Sequence, residues 1–182
     1  DLHRRGRQEH GCKREGDRRV IPYEFNYKRA ASLADAEALL SANPEAKLLA
    51  GGQTLIAAMK MRLAQPSDLI DISGLKELSF IRAETDRVVI GAGARHSEVA
   101  ASADVAKAIP ALAALAYSIG DPAVRHMGTL GGSLANNDPA ADYPAAVLAL
   151  NATIKTQRRS IAAGDFFTGM FSTALEDGEI IT

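Results

Sequence analysis

Two glycine-rich turns constrain this chain more than any other feature: Gly51-Gly52 in LLAGGQTL (48–55) and Gly131-Gly132 in GTLGGS (128–133), about eighty residues apart. Consecutive glycines let the backbone take φ > 0, and with no Cβ in the way several N–H groups can point at one anion. A helix beginning at the turn adds partial positive charge. Such a turn suits a pyrophosphate, and it equally serves as a plain tight turn; the local pattern leaves both readings open. Two of them can grip one long ligand from two sides.

Other phosphate motifs fit less well. No lysine follows either glycine pair, so neither is the GxxxxGK[ST] loop of a nucleotide hydrolase. Val88-Val89-Ile90-Gly91-Ala92-Gly93 opens like a GxGxxG dinucleotide fingerprint, but His96 stands at the third glycine position. The strand before it closes a hairpin and does not begin a βαβ unit.

From Tyr23 strand and helix signals alternate. Ser32 caps a helix with Leu33, Ala36, Leu39 and Leu40 at helical spacing, and Asn43-Pro44 stops it. A short apolar strand over 47–50 runs into the first glycine pair, after which Thr54 caps a helix to about Arg62. Residues 69–72 read as a buried strand. Residues 78–83 and 87–92 read as a hairpin, and 97–102 and 105–119 as helix interrupted at Pro110. GTLGGS precedes a polar loop, NNDPAAD, and an Ala/Leu-rich helix, YPAAVLALN. A strand over 152–157, a short helix over 165–170 and a strand start over 179–182 complete the chain.

Composition sets the remaining bounds. The 182 residues are 47% hydrophobic and 24% charged, an ordinary globular balance with enough chain to bury a core unaided. A formal net charge of -1 argues against nucleic acid or an anionic membrane as a sequence-wide partner. Cys12 is the single cysteine, so no internal disulfide forms. No apolar run approaches the ~20 residues that span a bilayer and no leader pattern opens the chain, so we expect a cytoplasmic protein with a reduced thiol. Residues 1–20 carry seven Lys/Arg and four Asp/Glu with almost nothing apolar, and read as a disordered or non-native extension. His3, His10 and Cys12 within it match no metal-ligand spacing.

The glycine turns and the segments MKMRLAQPSDLIDIS (59–73), IGAGARHSEVA (90–100) and IGDPAVRHMGTLGGSLANNDPAADYPAAVLAL (119–150) together resemble the FAD-binding subunit or domain of the molybdenum hydroxylases. Its best-known members are the medium subunit of carbon monoxide dehydrogenase and the flavin domain of xanthine dehydrogenase. The resemblance implies an α+β, two-lobed FAD-binding domain of the vanillyl-alcohol-oxidase/PCMH type. Residues 21–75 would form the N-terminal lobe and 76–182 the second, with the family's C-terminal lobe absent.

Carried over by motif, Leu48, Leu49, Ala50, Gly51, Gly52, Gln53, Thr54 and Leu55 cradle the FAD pyrophosphate. Thr129, Leu130, Gly131, Gly132 and Ser133 form the second turn on the same cofactor, and Ile119 and Asp142 also touch FAD. Asp142 would repel a pyrophosphate, so it accepts from a ribose or ribityl hydroxyl or a loop N–H, or caps the helix at Tyr143-Pro144, and the two roles need not exclude each other. Asp138 before Pro139 reads as a turn former. Arg125 and His126 are solvated loop charges or face the flavin, and His96 starts a helix.

The implied partners are a large molybdopterin subunit and a small 2Fe-2S subunit in a hetero-oligomer, with no membrane insertion. Electrons would pass from iron–sulfur clusters through FAD to an external acceptor. No side chain here need be a catalytic acid or base. A stand-alone flavin oxidoreductase and a non-catalytic FAD-binding fragment are the rival readings.

Overall fold

The computed structural model describes residues 21–182, so the expectations for residues 1–20 lie outside the described residues. Three strands form a parallel sheet ordered β1-β3-β2, with β1 Asn26–Arg29, β2 Lys47–Leu49 and β3 Asp68–Asp71. The central β3 is buried along its whole length, as a strand covered on both faces requires. Its terminal carboxylates are held by charge and hydrogen bonding: Lys28 Nζ lies 3.0 Å from Asp68, and the Tyr27 hydroxyl donates to Asp71 at 2.5 Å.

Helix α1, Leu33–Ala42, starts where the sequence indicates, because the Ser32 Oγ accepts from the Asp35 N–H at 3.1 Å. Helix α2, Leu55–Lys60, also starts as expected, but the Thr54 side chain makes no cap hydrogen bond. The hairpin is β4 Ile81–Ala83 with β5 Val88–Ile90; it begins later than expected, because Lys76–Leu78 winds into a 3₁₀ turn that buries Leu78.

The helical run divides at its proline as anticipated, into α3 His96–Ala101, α4 Ala103–Ala108 and α5 Pro110–Ser118. Helix α6, Pro122–Met127, was not anticipated. Asp121 caps it by accepting from the Ala123 N–H at 2.7 Å, with Pro122 at the first helical position. The second glycine segment is not a free-standing loop: Gly131 and Gly132 lie in the first turn of α7, Leu130–Asn136. Helix α8 is Asp142–Ala149.

A hairpin of β6 Thr153–Lys155 and β7 Ser160–Ala162 follows. The helix expected over 165–170 is instead α9 Ala163–Phe166, after which the chain turns extended as β8 Phe167–Gly169 and pairs with β9 Ser172–Thr173. Buried Phe166 explains the shift, since it anchors the helix end while Phe167 packs edge-on against it at 5.0 Å. Residues 179–182 make a single bridge, Thr156 to Ile181, in place of a strand.

Two hydrophobic clusters hold the chain. The smaller joins Ala30, Ala36, Ala46 and Ile70 of the parallel sheet region with Ile180 near the chain end. The larger gathers α3, α4, α5, α7, α8 and α9, with Val99, Val105, Leu112, Tyr143 and Phe166 among its buried members. Among the described residues no helix is long and apolar enough to cross a membrane.

Candidate functional site

A cleft of about 1380 Å³ is walled by the first glycine turn on one side and the second on the other. That exceeds the roughly 300–1,000 Å³ of ordinary small-molecule pockets, which suits a long coenzyme. Residues 48–55 all line it, as do Ile119, Thr129, Gly131, Gly132, Ser133 and Asp142; Leu130 does not. Leu130 is 8% exposed and belongs to the larger core cluster, because the residue after a helix cap here turns its side chain inward.

The first turn presents bare main chain. Gly52 has φ +71°, the left-handed conformation that favours glycine. None of the N–H groups of Gly51, Gly52, Gln53, Thr54 and Leu55 finds an acceptor among the described residues; the first amide of this segment to do so is that of Ile56, on the Gly52 carbonyl at 3.0 Å. Gly51 has a different task from Gly52. A Cβ on it would lie 2.2 Å from the Met127 carbonyl oxygen and 2.8 Å from the Gly128 Cα, so its missing side chain lets the two walls of the cleft meet backbone to backbone.

The second turn differs, and here the expectation of two sets of free amides is corrected. The Leu130 and Gly131 N–H groups donate to Ala94 O at 2.9 Å and Ala92 O at 2.8 Å. The Gly132 N–H donates to Thr129 Oγ1 at 3.1 Å, and the Ser133 N–H to Thr129 O at 3.0 Å. What this wall offers a ligand is the Thr129 hydroxyl proton, the Ser133 hydroxyl and the open surface over Gly132. Gly131 is required by packing, since a Cβ there would sit 2.5 Å from that of Ala92.

Asp142 is the first residue of α8 and lies in its first turn, while Ala141, which carries no side-chain cap bond, holds the cap position. The helix-cap reading of Asp142 is therefore set aside, and the exposed carboxylate faces the cleft as an unengaged acceptor. Asp138 is a turn former as expected, accepting from the Ala140 N–H at 2.9 Å. Arg125 does not line the cleft: its guanidinium bonds the carbonyls of Ile119 and Gly120 beyond the end of α5. His126 bonds the Pro122 carbonyl at 2.7 Å.

Other cleft residues were not identified from the sequence. Arg95, buried His96 and buried Tyr143 line it, as do residues 175–181 from the chain end. The His96 and Tyr143 rings lie 5.1 Å apart, and His96 Nδ1 and the Tyr143 hydroxyl are buried without partners among the described residues. Burial lowers the His96 pKa, opposed by the charge of Asp142, whereas burial and Asp142 both raise that of Tyr143. His96 is thus neutral at pH 7 and the phenol protonated. The one sequence signal for this region was the small-residue run Gly91-Ala92-Gly93, which marks close backbone approach: a Cβ on Gly91 would lie 2.3 Å from the Leu78 carbonyl. At the chain end Glu179 is buried, accepting from Arg159 Nε and Nη2 at 2.9 Å each and from Thr156 Oγ1 at 2.7 Å; these bonds, Arg159 foremost, hold its pKa down to about 2.

Residues 23–182 match the family described as FAD binding domain in molybdopterin dehydrogenase. The glyceraldehyde dehydrogenase medium chain of Sulfolobus acidocaldarius is 41% identical over 167 residues, spanning 90% of this chain and 59% of the relative. The carbon monoxide dehydrogenase medium chain of Hydrogenophaga pseudoflava is likewise 41% identical over 167 residues, with 89% and 58% covered. Among solved structures, reconstituted CO dehydrogenase from Oligotropha carboxidovorans superposes with a TM-score of 0.86 at 41% identity, covering 89% of this chain and 58% of that one. The chain therefore spans less than two thirds of the length of these relatives, and it belongs to the family of FAD-binding domains of molybdopterin dehydrogenases.

Proposed function

We propose that the chain binds FAD in this cleft and serves as the flavin-bearing part of a molybdenum hydroxylase. The observation that carries the reading is the run of five unbonded N–H groups from Gly51 to Leu55, opening on a cleft of coenzyme size. Main-chain donors held by a glycine turn are the chemistry a pyrophosphate needs, so the residues present fit the group. Residues 48–55 would cradle the pyrophosphate, with the Thr129 and Ser133 hydroxyls on the opposite wall. Leu130, Gly131 and Gly132 would shape that wall from behind. Ile119 would supply apolar contact, and Asp142 would accept from a ribose or ribityl hydroxyl. Residues 21–75 and 76–182 would act as the two lobes that close on the coenzyme.

Bound FAD would supply the redox chemistry, taking electrons from iron–sulfur clusters on a small partner, fed by a molybdenum centre on a large one, and delivering them to an external acceptor. The chain's own residues would bind and orient the coenzyme and exclude water. The relatives' names point to different substrates, glyceraldehyde in one and carbon monoxide in the other, which agrees with a part whose role does not depend on the substrate.

Titration of the purified chain with FAD, followed by flavin fluorescence and by colour retained after desalting, tests the reading. Saturable binding at one site per chain is the expected result. A preparation that stays colourless after incubation with excess FAD overturns it.

A further inference from the structure

We propose that Arg95 is the countercharge for the diphosphate of the ligand in this cleft, and that it makes the site select a diphosphate-bearing flavin over an unphosphorylated one. This rests on the FAD reading above. The inference starts from how the second wall is built. The His96 N–H donates to Gly128 O at 3.1 Å and the Leu130 N–H to Ala94 O at 2.9 Å, which brackets Arg95 and Thr129 as directly opposed residues of an antiparallel bridge. Between such flanking bonds the opposed pair is the close, non-hydrogen-bonded kind, with side chains on one face and Cβ atoms about 5 Å apart.

The face they share is identified by burial. Ala94 and His96, on either side of Arg95, are 1% and 6% exposed, whereas Arg95 is exposed; it lines the cleft, as do the opposed Thr129, 8% exposed, and His96. The first turn reaches the same place, because Gly51 packs against the backbone of Met127 and Gly128, immediately before Thr129. Arg95, Thr129 and the first turn thus border the same part of the cleft from its two walls.

Charge singles Arg95 out. Among the described residues, the lysines and arginines lining the cleft are Lys47 and Arg95. Lys47 begins β2, at the end of that strand away from the glycine turn. Glu98 is engaged with the Arg95 main-chain N–H at 2.7 Å, and the Arg95 guanidinium forms no salt bridge among the described residues. The first turn has no lysine after its glycines, so its own donors to a doubly charged diphosphate are neutral amides and Arg95 is the cationic group set beside them among the described residues. Guanidinium matches phosphate oxygens in a forked, charge-assisted geometry.

The test titrates the whole chain and its Arg95→Gln, Arg95→Lys and Lys47→Gln variants with FAD and with riboflavin, by flavin fluorescence, at low and at moderate salt. Arg95→Gln is expected to weaken FAD roughly tenfold to a hundredfold while leaving riboflavin unchanged. It should also flatten the salt dependence of FAD binding, with Arg95→Lys intermediate and Lys47→Gln close to wild type. Equal FAD affinity in Arg95→Gln and wild type, or parallel losses of FAD and riboflavin, overturns the role of Arg95 while leaving the FAD reading intact. Failure of the wild-type chain to bind FAD overturns that reading and this inference together. Arg95 is exposed, so an unchanged melting temperature is expected of its variants.

Discussion

Replacing Gly51 with alanine keeps an allowed backbone conformation and adds one methyl group, which isolates the packing role of that glycine. The new Cβ would lie 2.2 Å from Met127 O, 2.8 Å from Gly128 Cα and 2.9 Å from Met127 C, all main-chain atoms that cannot rotate aside. The opposing segment is itself wedged, because a Cβ position on Gly128 already lies 2.6 Å from His96 Nε2 and 2.8 Å from Val124 O. The first turn must therefore retreat, by roughly an ångström, to reach ordinary contact. Overpacking of this kind costs about 1–3 kcal/mol, and with backbone on both sides the upper part of that range applies. For a chain of this length that corresponds to a fall of roughly 4–12 °C in Tm.

The same retreat carries the five free amides away from the second wall, so FAD affinity should fall at least about tenfold. Differential scanning fluorimetry and FAD titration measure the two effects. Gly164→Ala is the control, since nothing lies within 4 Å of its Cβ position and the residue sits in α9, where alanine is neutral or stabilising by up to about 1 kcal/mol. A Gly51→Ala protein with wild-type Tm and wild-type FAD binding would refute the account, and an equal loss in Gly164→Ala would show that contact across the cleft is not the cause.

Asp142→Ala should weaken FAD by about tenfold to a hundredfold without lowering Tm, because the carboxylate caps no helix; a drop in Tm with unchanged affinity would reverse that assignment. Tyr143→Phe removes a buried hydroxyl that has no partner, so thermal unfolding should show the ligand-free protein unchanged or stabilised by about 1 kcal/mol; a clear loss would mean the hydroxyl is bonded. Glu179 has its pKa lowered from 4.5 to about 2, so its contribution is full above the unfolded value and is lost as pH falls toward the folded one. Urea unfolding between pH 5 and about pH 2.5 should fall more steeply for wild type than for Glu179→Gln, and Glu179→Gln should be less stable at pH 7 by about 2 kcal/mol.

Much of the architecture could be read locally. Ser32, Pro110 and the hairpin around Glu84-Thr85-Asp86 act through neighbours a few residues away, and the helices and strands they set lie close to where those signals place them. Where the reading missed, a tertiary partner intervened. Phe166 ends α9 by entering the core, and Leu78 is drawn into a 3₁₀ turn ahead of β4. Asp121-Pro122 did carry a local helix-start signal, and α6 was legible in principle.

The candidate site divides in the same way. The amino-acid order alone marks both glycine turns, because bare main chain for an anion is a short-range property of composition and spacing; Arg95, His96, Tyr143 and residues 175–181, which share the cleft walls, it does not mark. Which turn still has amides to offer is a matter of hydrogen bonds between strands far apart in sequence: Ala92 and Ala94 consume those of Leu130 and Gly131, while nothing among the described residues consumes those of residues 51–55. The same long-range pairing sets Arg95 beside Thr129 and presses Gly51 onto Met127. Contacts of that kind follow from how the two walls pack, and no local pattern encodes them.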